Sequence, residues 1–317
     1  MSTAIEPIAE TLLAEIEAHA TELAAGGGAI LRRHFGADLE VEYKGEGKND
    51  PVTAVDKESQ DYLVRAILDR FPDHGIVGEE DEEKEDSAAP DIVWVLDPLD
   101  GTKNFINGLP VFACSVGVLH RGTPVAGALH IPWPGEASGV VLHARRGGGA
   151  FLDGERIGIT DAGEPAGNRL VGLPGSFGRA FRFDKAMNGK VGDLRISGSI
   201  AYEMAMVARG VLQYSLFGAP KLWDVAAGAV LIAEAGGVVL LGSGGRRGIS
   251  PRPRRLRWRA LGSFLDSWQS GTTTLLELRE WSGSLLTGSP GVARSVADRL
   301  ERRRRRRPRL GRLLRGR

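Results

Sequence analysis

Apolar residues recur at helical spacing over residues 5–35, at Ile8, Leu12, Ile16, Leu23, Ile30 and Leu31, although Gly26-Gly27-Gly28 weakens the middle of that helix. A second helix is predicted over Lys57–Phe71, where Leu63, Ala66, Ile67 and Phe71 share one face. The stretch between them, 36–52, reads as a polar, glycine-rich loop, and Glu79 to Ala89 as an acidic surface loop. The pattern then shifts to short apolar runs that predict strands at 92–96, 113–119, 124–131, 138–143 and 149–152, with turns at Arg121-Gly122 and Asp153-Gly154. Connections this short favour antiparallel pairing over a doubly wound sheet. After a loop around 161–190 come a helix (199–209), a strand (211–217), a helix (223–235) closed by Gly236-Gly237, and a strand (238–241). The Pro/Arg-rich stretch 246–259 reads as a loop and Val292 to Leu300 as a closing helix. No repeat is visible. The order predicts an α+β protein with an N-terminal half over 1–155, a C-terminal half over 156–300, and a site between them.

Composition narrows the class. A chain of 317 residues, 42% hydrophobic and 26% charged, can bury a sizeable core and is ordinary for a soluble globular enzyme. No apolar run approaches the length of a membrane span, and Met1 to Glu10 lacks the basic-then-apolar order of a signal peptide. Cys114 is the only cysteine, so no internal disulfide forms and a reducing, cytoplasmic setting fits. Its neighbours in Phe112-Ala113-Cys114-Ser115-Val116 predict a buried structural thiol. The net charge of +1 hides an asymmetry: residues 301–317 hold ten arginines and one acid, so the rest carries 31 bases and 39 acids, or −8. A run such as Arg302 to Arg307 repels itself and predicts a disordered tail. Weak contact with nucleic acid or anionic lipid is one role for it; a solvated extension without a partner is the other. No aromatic residue interleaves the arginines to stack on bases.

The chemistry concentrates where the run Ile92-Val93-Trp94-Val95-Leu96 meets Asp97-Pro98-Leu99-Asp100-Gly101-Thr102. Pro98 predicts that the strand stops there, and Gly101-Thr102 opens a helix whose free N–H groups face whatever the carboxylates hold. A hard divalent metal with a phosphate is one reading; an Asp-Pro turn with an Asx cap is the other. Further acids occupy related places. Glu79 follows Ile76-Val77 at a strand end, Asp224 opens the helix of Val225-Ala226-Ala227, and Asp50 and Asp56 flank the start of the 57–71 helix. Each alone also serves as a helix cap or a solvated acid.

Together these motifs resemble the inositol monophosphatase family of metal-dependent, lithium-sensitive phosphatases. The match rests on Asp50-Pro-Val-Thr-Ala-Val-Asp56, Gly78-Glu79-Glu80, Trp94-Val-Leu-Asp-Pro-Leu-Asp-Gly-Thr-Lys-Asn-Phe105 and Leu222-Trp-Asp-Val-Ala-Ala-Gly228 with Glu234-Ala-Gly-Gly237, in order over about residues 5–241. The resemblance implies a layered α-β-α-β-α sandwich with mainly antiparallel sheets, usually a homodimer, acting on a small-molecule phosphate ester. It implies two or three Mg²⁺ per site: Glu79, Asp97 and the Leu99 carbonyl for one ion, and Asp97, Asp100 and Asp224 for a second. Oxygen-only ligation suits that ion. It further implies that Thr102, hydrogen-bonded to Asp56, orients and helps deprotonate the attacking water, with Glu79 counted among the catalytic groups and Asp50 supporting that corner. The Gly101 and Thr102 N–H groups would receive phosphate oxygens. The six histidines show no ligand spacing and read as structural or surface residues.

Ser197-Gly198-Ser199 resembles the family segment that touches substrate, though it is also plain helix-cap chemistry. Inositol-specific members carry an acid seven residues before the aspartate of Trp-Asp; here Phe217 stands there, which disfavours inositol phosphate itself. Asp100-Gly-Thr-Lys103 is similar to relatives that hydrolyse phosphoadenosine phosphate, but those usually place an acid where Asn104 stands. The expectation is a Mg²⁺-dependent phosphomonoesterase for a small phosphorylated alcohol or sugar. Phosphoadenosine phosphate, sugar bisphosphate and histidinol phosphate are alternative substrates, and a non-catalytic scaffold using the basic tail is the alternative class.

Overall fold

The structure, a computed structural model of the chain, describes residues 8–37, 41–43, 51–81, 87–243, 254–265 and 268–303. A seven-stranded sheet runs in sequence order through Gly75–Gly78, Ile92–Asp100, Ala113–His120, Thr123–Trp133, Glu136–Arg145, Gly149–Leu152 and Glu155–Ile157. Its first pair is parallel and every later pair antiparallel, all of the later ones except Ile92–Asp100 with Ala113–His120 being joined by short turns. The first five residues of the strand Ile92–Asp100 are all apolar because both its faces are covered. Trp94 and Leu96 pack under the helices Glu10–His34 and Ala54–Arg70, while Val93 and Val95 face the interior helices Ile200–Ala208 and Leu222–Glu234.

Those interior helices separate the first sheet from a second, six-stranded one. Its order is Asp193–Arg195, Leu170–Gly172, Leu212–Phe217, Ser284–Gly288, Val238–Ser243, Arg257–Ala260, parallel across the first three strands and antiparallel across the rest. Leu285 and Val239 point inward, whereas Leu286 and Leu240 point out beneath the helix Pro290–Arg299. The layers therefore alternate α-β-α-β-α, as the family resemblance implies. The helix Leu222–Glu234 lies close on the first sheet because Gly117 and Gly127 carry no side chain there. A Cβ on Gly127 would sit 2.6 Å from the Cα of Ala227.

Several sequence expectations need correction. The glycine triplet does not break the first helix: side chains at Gly27 and Gly28 would collide with Cys114 and His130, so the glycines allow helix–sheet contact. Pro98 does not end its strand, which continues to Asp100 through an irregularity in register. The expected loops contain strands: 41–43 pairs with 51–53, 170–172 joins the second sheet, and 257–260 forms its edge. Ser284–Gly288, which the pattern does not predict, lies centrally in that sheet. Ile157, placed in the C-terminal half, pairs with Ala150 in the first sheet. Glu301 and Arg302, placed in the tail, pair with Arg182 and Phe181, and the Arg182 Nε donates to Glu301 at 2.8 Å. The remaining tail, 304–317, lies outside the described residues. Among the described residues no helix is long and apolar enough to cross a membrane.

Candidate metal centre

Asp97, Asp100 and Asp224 each offer a carboxylate oxygen within 4.8 Å of the others. Residues three apart in a regular strand point to opposite faces. Here the ladder pairs Asp97 with Ser115 and Asp100 with Ala113, so one extra residue is absorbed around Pro98-Leu99. That bulge is what turns both carboxylates to the same side. The Leu99 N–H donates to Asp97 Oδ1 at 3.1 Å, and Ser59 Oγ donates to the Pro98 carbonyl at 3.4 Å, holding the distorted stretch.

Asp224 arrives from the other half of the molecule as the third residue of the helix Leu222–Glu234. Its Oδ2 accepts the Lys221 N–H at 2.8 Å, an N-terminal position that favours negative charge. Ser115 Oγ donates to the Trp223 carbonyl at 3.3 Å, tying the helix start to the strand beside Asp97. Asp100 Oδ2 accepts from Ser199 Oγ at 2.7 Å and from the Ala201 N–H. Glu79 ends the strand Gly75–Gly78; its N–H donates to the Leu96 carbonyl at 3.1 Å, and its carboxyl lies beside Asp97.

The electrostatics are those of crowded anions, which the nearby Lys221 ammonium offsets only in part at Asp224. Burial, then Glu79, Asp100 and Asp224, push Asp97 well above the usual carboxylate range. Burial and then Asp100 do the same to Asp224. Asp100 rises to about 6, because burial outweighs the hydrogen bonds from Ser199 and Ala201. A multivalent cation among these oxygens removes that strain, and the absence of His or Cys from the cluster suits a hard ion. The residues fit a Mg²⁺-type site.

Thr102 follows Gly101, whose φ of +95° is a left-handed turn that glycine adopts without strain. The Thr102 hydroxyl lies 3.1 Å from the Leu99 carbonyl and 3.3 Å from Asp56 Oδ1, and its single proton serves one acceptor at a time. Asp56 is buried at 1% exposure, and its other oxygen accepts the Thr53 N–H and hydroxyl at 2.8 and 2.6 Å. Burial raises its pKa against those donors. Asp50 lies outside the described residues.

A cleft of about 380 Å³ opens beside Asp224, with Leu173, Ile196, Gly198, Ser199 and Phe217 in its wall. Phe217 shares that wall with Gly218 and Asp224. The two serines have other duties as well. Ser199 Oγ caps the helix Ile200–Ala208, accepting the Tyr202 N–H, while it donates to Asp100. Ser197 Oγ is within hydrogen-bond distance of the Ser199 carbonyl and of Glu203 Oε1, at 2.8 and 2.7 Å. Glu203 is a supporting residue that the sequence reading missed; its signal was a lone acid in the otherwise apolar helix. Five of the six histidines hydrogen-bond to groups outside the Asp97, Asp100 and Asp224 cluster, His19 to Ala66, His34 to Glu58, His74 to Trp94, His130 to Ser138 and His143 to Glu17.

Two sheets sandwiching a pair of helices, with a cluster of acids at their seam, define a class of layered α+β proteins. The chain belongs to the inositol monophosphatase family, whose model matches residues 12–277. It is 35% identical over 223 residues to a fructose-1,6-bisphosphatase/inositol-1-monophosphatase of Aquifex aeolicus, covering 69% of this chain and 82% of that relative. The Nus factor SuhB of Escherichia coli is 34% identical over 231 residues, covering 71% and 85%. Among solved structures, a Thermotoga maritima IMPase superposes with a TM-score of 0.66 at 26% identity, covering 90% of this chain and 96% of that one.

Proposed function

We propose that this protein is a Mg²⁺-dependent phosphomonoesterase that hydrolyses a small phosphorylated alcohol or sugar. The observation that carries this reading is the convergence of Asp97, Asp100 and Asp224 beside a Thr102–Asp56 pair. Glu79, Asp97, Asp100, Asp224 and the Leu99 carbonyl would hold the two or three ions that the family resemblance implies. When bound, the metal polarises the phosphoryl group and the leaving alkoxide and makes water acidic. Thr102 positions the attacking water from one side of the scissile phosphate. Asp56, behind it, accepts the proton that the hydroxyl relays, and its raised pKa suits that exchange. The Gly101 and Thr102 N–H groups receive phosphate oxygens, and Asp50 supports the same corner. No side chain is required as a covalent nucleophile. The family resemblance extends the reading to a homodimer, which sedimentation of the full chain tests.

Phe217 shapes the choice of alcohol. An apolar ring neither rewards nor strongly rejects a sugar hydroxyl, whereas a buried acid accepting two hydroxyls discriminates by a few kcal/mol. Inositol 1-phosphate is therefore expected to lose at least ~10-fold in kcat/KM to another ester in a panel that includes sugar bisphosphates, histidinol phosphate and phosphoadenosine phosphate. Phe217→Glu should narrow that gap; inositol 1-phosphate ranking first with no gain in the variant would remove the assignment. A second reading has its own support, since the Escherichia coli relative bears the name of a Nus factor: a scaffold of the same fold that needs no turnover. Chelation followed by Mg²⁺ decides between them. Loss and recovery of phosphate release, with inhibition by millimolar Li⁺, supports the enzyme, and no release from any ester with Mg²⁺ present supports the scaffold.

A further inference from the structure

Two of the ligands come from segments that a third piece of chain joins. Arg279 ends the short helix Leu275–Arg279, in a C-terminal stretch that the sequence motifs leave without a role. Its guanidinium donates to three carbonyls of the single turn around Glu79: to the Gly78 carbonyl, to the Glu79 carbonyl at 3.3 Å and to the Asp81 carbonyl at 2.8 Å. The Asp81 carboxylate, 3.8 Å away, itself accepts the Gly78 N–H at 2.7 Å, so the turn is closed from both sides. The same guanidinium lies 5.5 Å from the ring centroid of Trp223, the residue before Asp224.

The surrounding backbone repeats the connection. Ala89 N–H donates to the Thr273 carbonyl at 2.8 Å and Leu275 N–H to the Ser87 carbonyl at 3.0 Å, while Lys221 bridges to Ser282. Residues 273–282 thus touch the chain beyond Glu79 at one end and the chain leading into Asp224 at the other.

We infer that Arg279 is a positioning residue for the metal centre, fixing the Glu79 turn relative to the start of the Asp224 helix. The inference rests on the metal-dependent reading proposed above. The chemistry favours arginine: a planar fork with five N–H donors reaches three spread carbonyls at once while its charge lies over an indole, and the compact lysine ammonium does not reproduce that fixed spread. Outer partners that orient metal ligands commonly govern 10–100-fold in affinity.

The test uses the full-length chain with Mn²⁺ as the probe, free ion being read by electron paramagnetic resonance, and the metal-free melting midpoint measured beside it. Arg279→Ala and Arg279→Lys should each weaken Mn²⁺ binding by at least ~10-fold. Leu276→Ala, an exposed position on the same short helix, should bind as the unaltered chain does. Unchanged affinity in the Arg279 variants overturns the inference, even where the metal-free midpoint falls, because a merely structural residue would show that pattern. Should Arg279→Ala fail to fold, Arg279→Lys decides alone, since it keeps stem and charge. An unaltered chain that binds no Mn²⁺ overturns the metal reading itself, which separates that failure from failure of the Arg279 assignment.

Discussion

The two sheets are built on opposite plans. In the first, each strand after Ile92–Asp100 pairs with its sequence neighbour through a short turn, so the sheet is nearly a meander. In the second, neighbours come from distant chain segments: Leu212–Phe217 pairs with Ser284–Gly288, and that strand with Val238–Ser243. Local pairing costs little loop-closure entropy, whereas distant pairing must be repaid by packing. The acid cluster straddles the difference. Asp97 and Asp100 stand on a strand fixed within its own sheet, and Asp224 is delivered by a helix wedged between the sheets. A site divided this way is assembled only when the whole sandwich is.

The largest expected effect lies at that seam. Asp97→Asn and Asp224→Asn each remove ligand charge from a cluster proposed to clamp the transition state, one from the locally built side and one from the delivered helix. Both should lower kcat by at least ~10³, because such electrostatic clamps supply several kcal/mol. Steady-state phosphate release measures it, with circular dichroism to show that the fold survives. An Asp224→Asn variant with near-normal kcat would place the chemistry wholly on the first sheet.

Core truncation sharpens the contrast next. Leu286→Ala in the second sheet and Leu142→Ala in the first each open a cavity at a fully buried position and should cost ~2–5 kcal/mol. The interior helices pack against side chains of both sheets in one cluster, including Leu129 and Leu142 on one side and Val239 and Leu285 on the other. Unfolding should therefore remain a single transition in both variants, with far-ultraviolet dichroism and tryptophan fluorescence coinciding. Separate transitions would show that the sheets are independent units.

The same contrast explains what the sequence revealed. The meander was legible because its strands are long, apolar and punctuated by turn residues, and Ile92–Leu96 announces a strand covered on both faces. Ser284–Gly288 was not, since Ser-Leu-Leu-Thr-Gly has no period and its partners lie more than forty residues away. At the site, the sequence motifs named the acids that come together, together with Thr102 beside Asp56. They did not reveal how Pro98 is accommodated: the residue that forbids a regular ladder sits in the bulge that aims the carboxylates. Arg279 was invisible because its contacts are almost wholly to backbone, which leaves no partner pattern in the chain.

A smaller effect follows from the raised carboxyl of Asp100. A carboxyl whose folded pKa stands above its unfolded value contributes stability at low pH and loses that contribution as pH rises through the folded value. For Asp100 the window runs from the ordinary 3.8 to about 6. A cation that takes the proton's place removes the loss. The rise in Tm on adding Mg²⁺ should thus be small near pH ~5 and grow towards pH ~7. Scanning calorimetry across that range checks it, and a metal-induced shift independent of pH would separate the ion from these carboxyls.

The smallest effect is expected furthest from the seam. Glu301 and Arg302 belong to the central strand of a three-stranded sheet, between Phe181–Phe183 and Arg254–Arg255, and the Arg303 N–H donates to the Ala180 carbonyl at 2.8 Å. Cutting before Leu300 would therefore remove ladder hydrogen bonds and a fully buried leucine from the core beneath Pro290–Arg299. Cutting after Arg303 removes an arginine-rich run that holds no acid. Deletion of 304–317 should leave kcat unchanged within about twofold, while any affinity of the intact chain for RNA or anionic vesicles disappears with it and, before that, weakens steeply with salt. Kinetics and vesicle or RNA binding at two ionic strengths measure both. A loss of kcat on this deletion would tie the basic segment to the acid cleft, and the charge difference between the acidic body, −7 over residues 1–303, and its cationic end would then act within the molecule instead of on a partner.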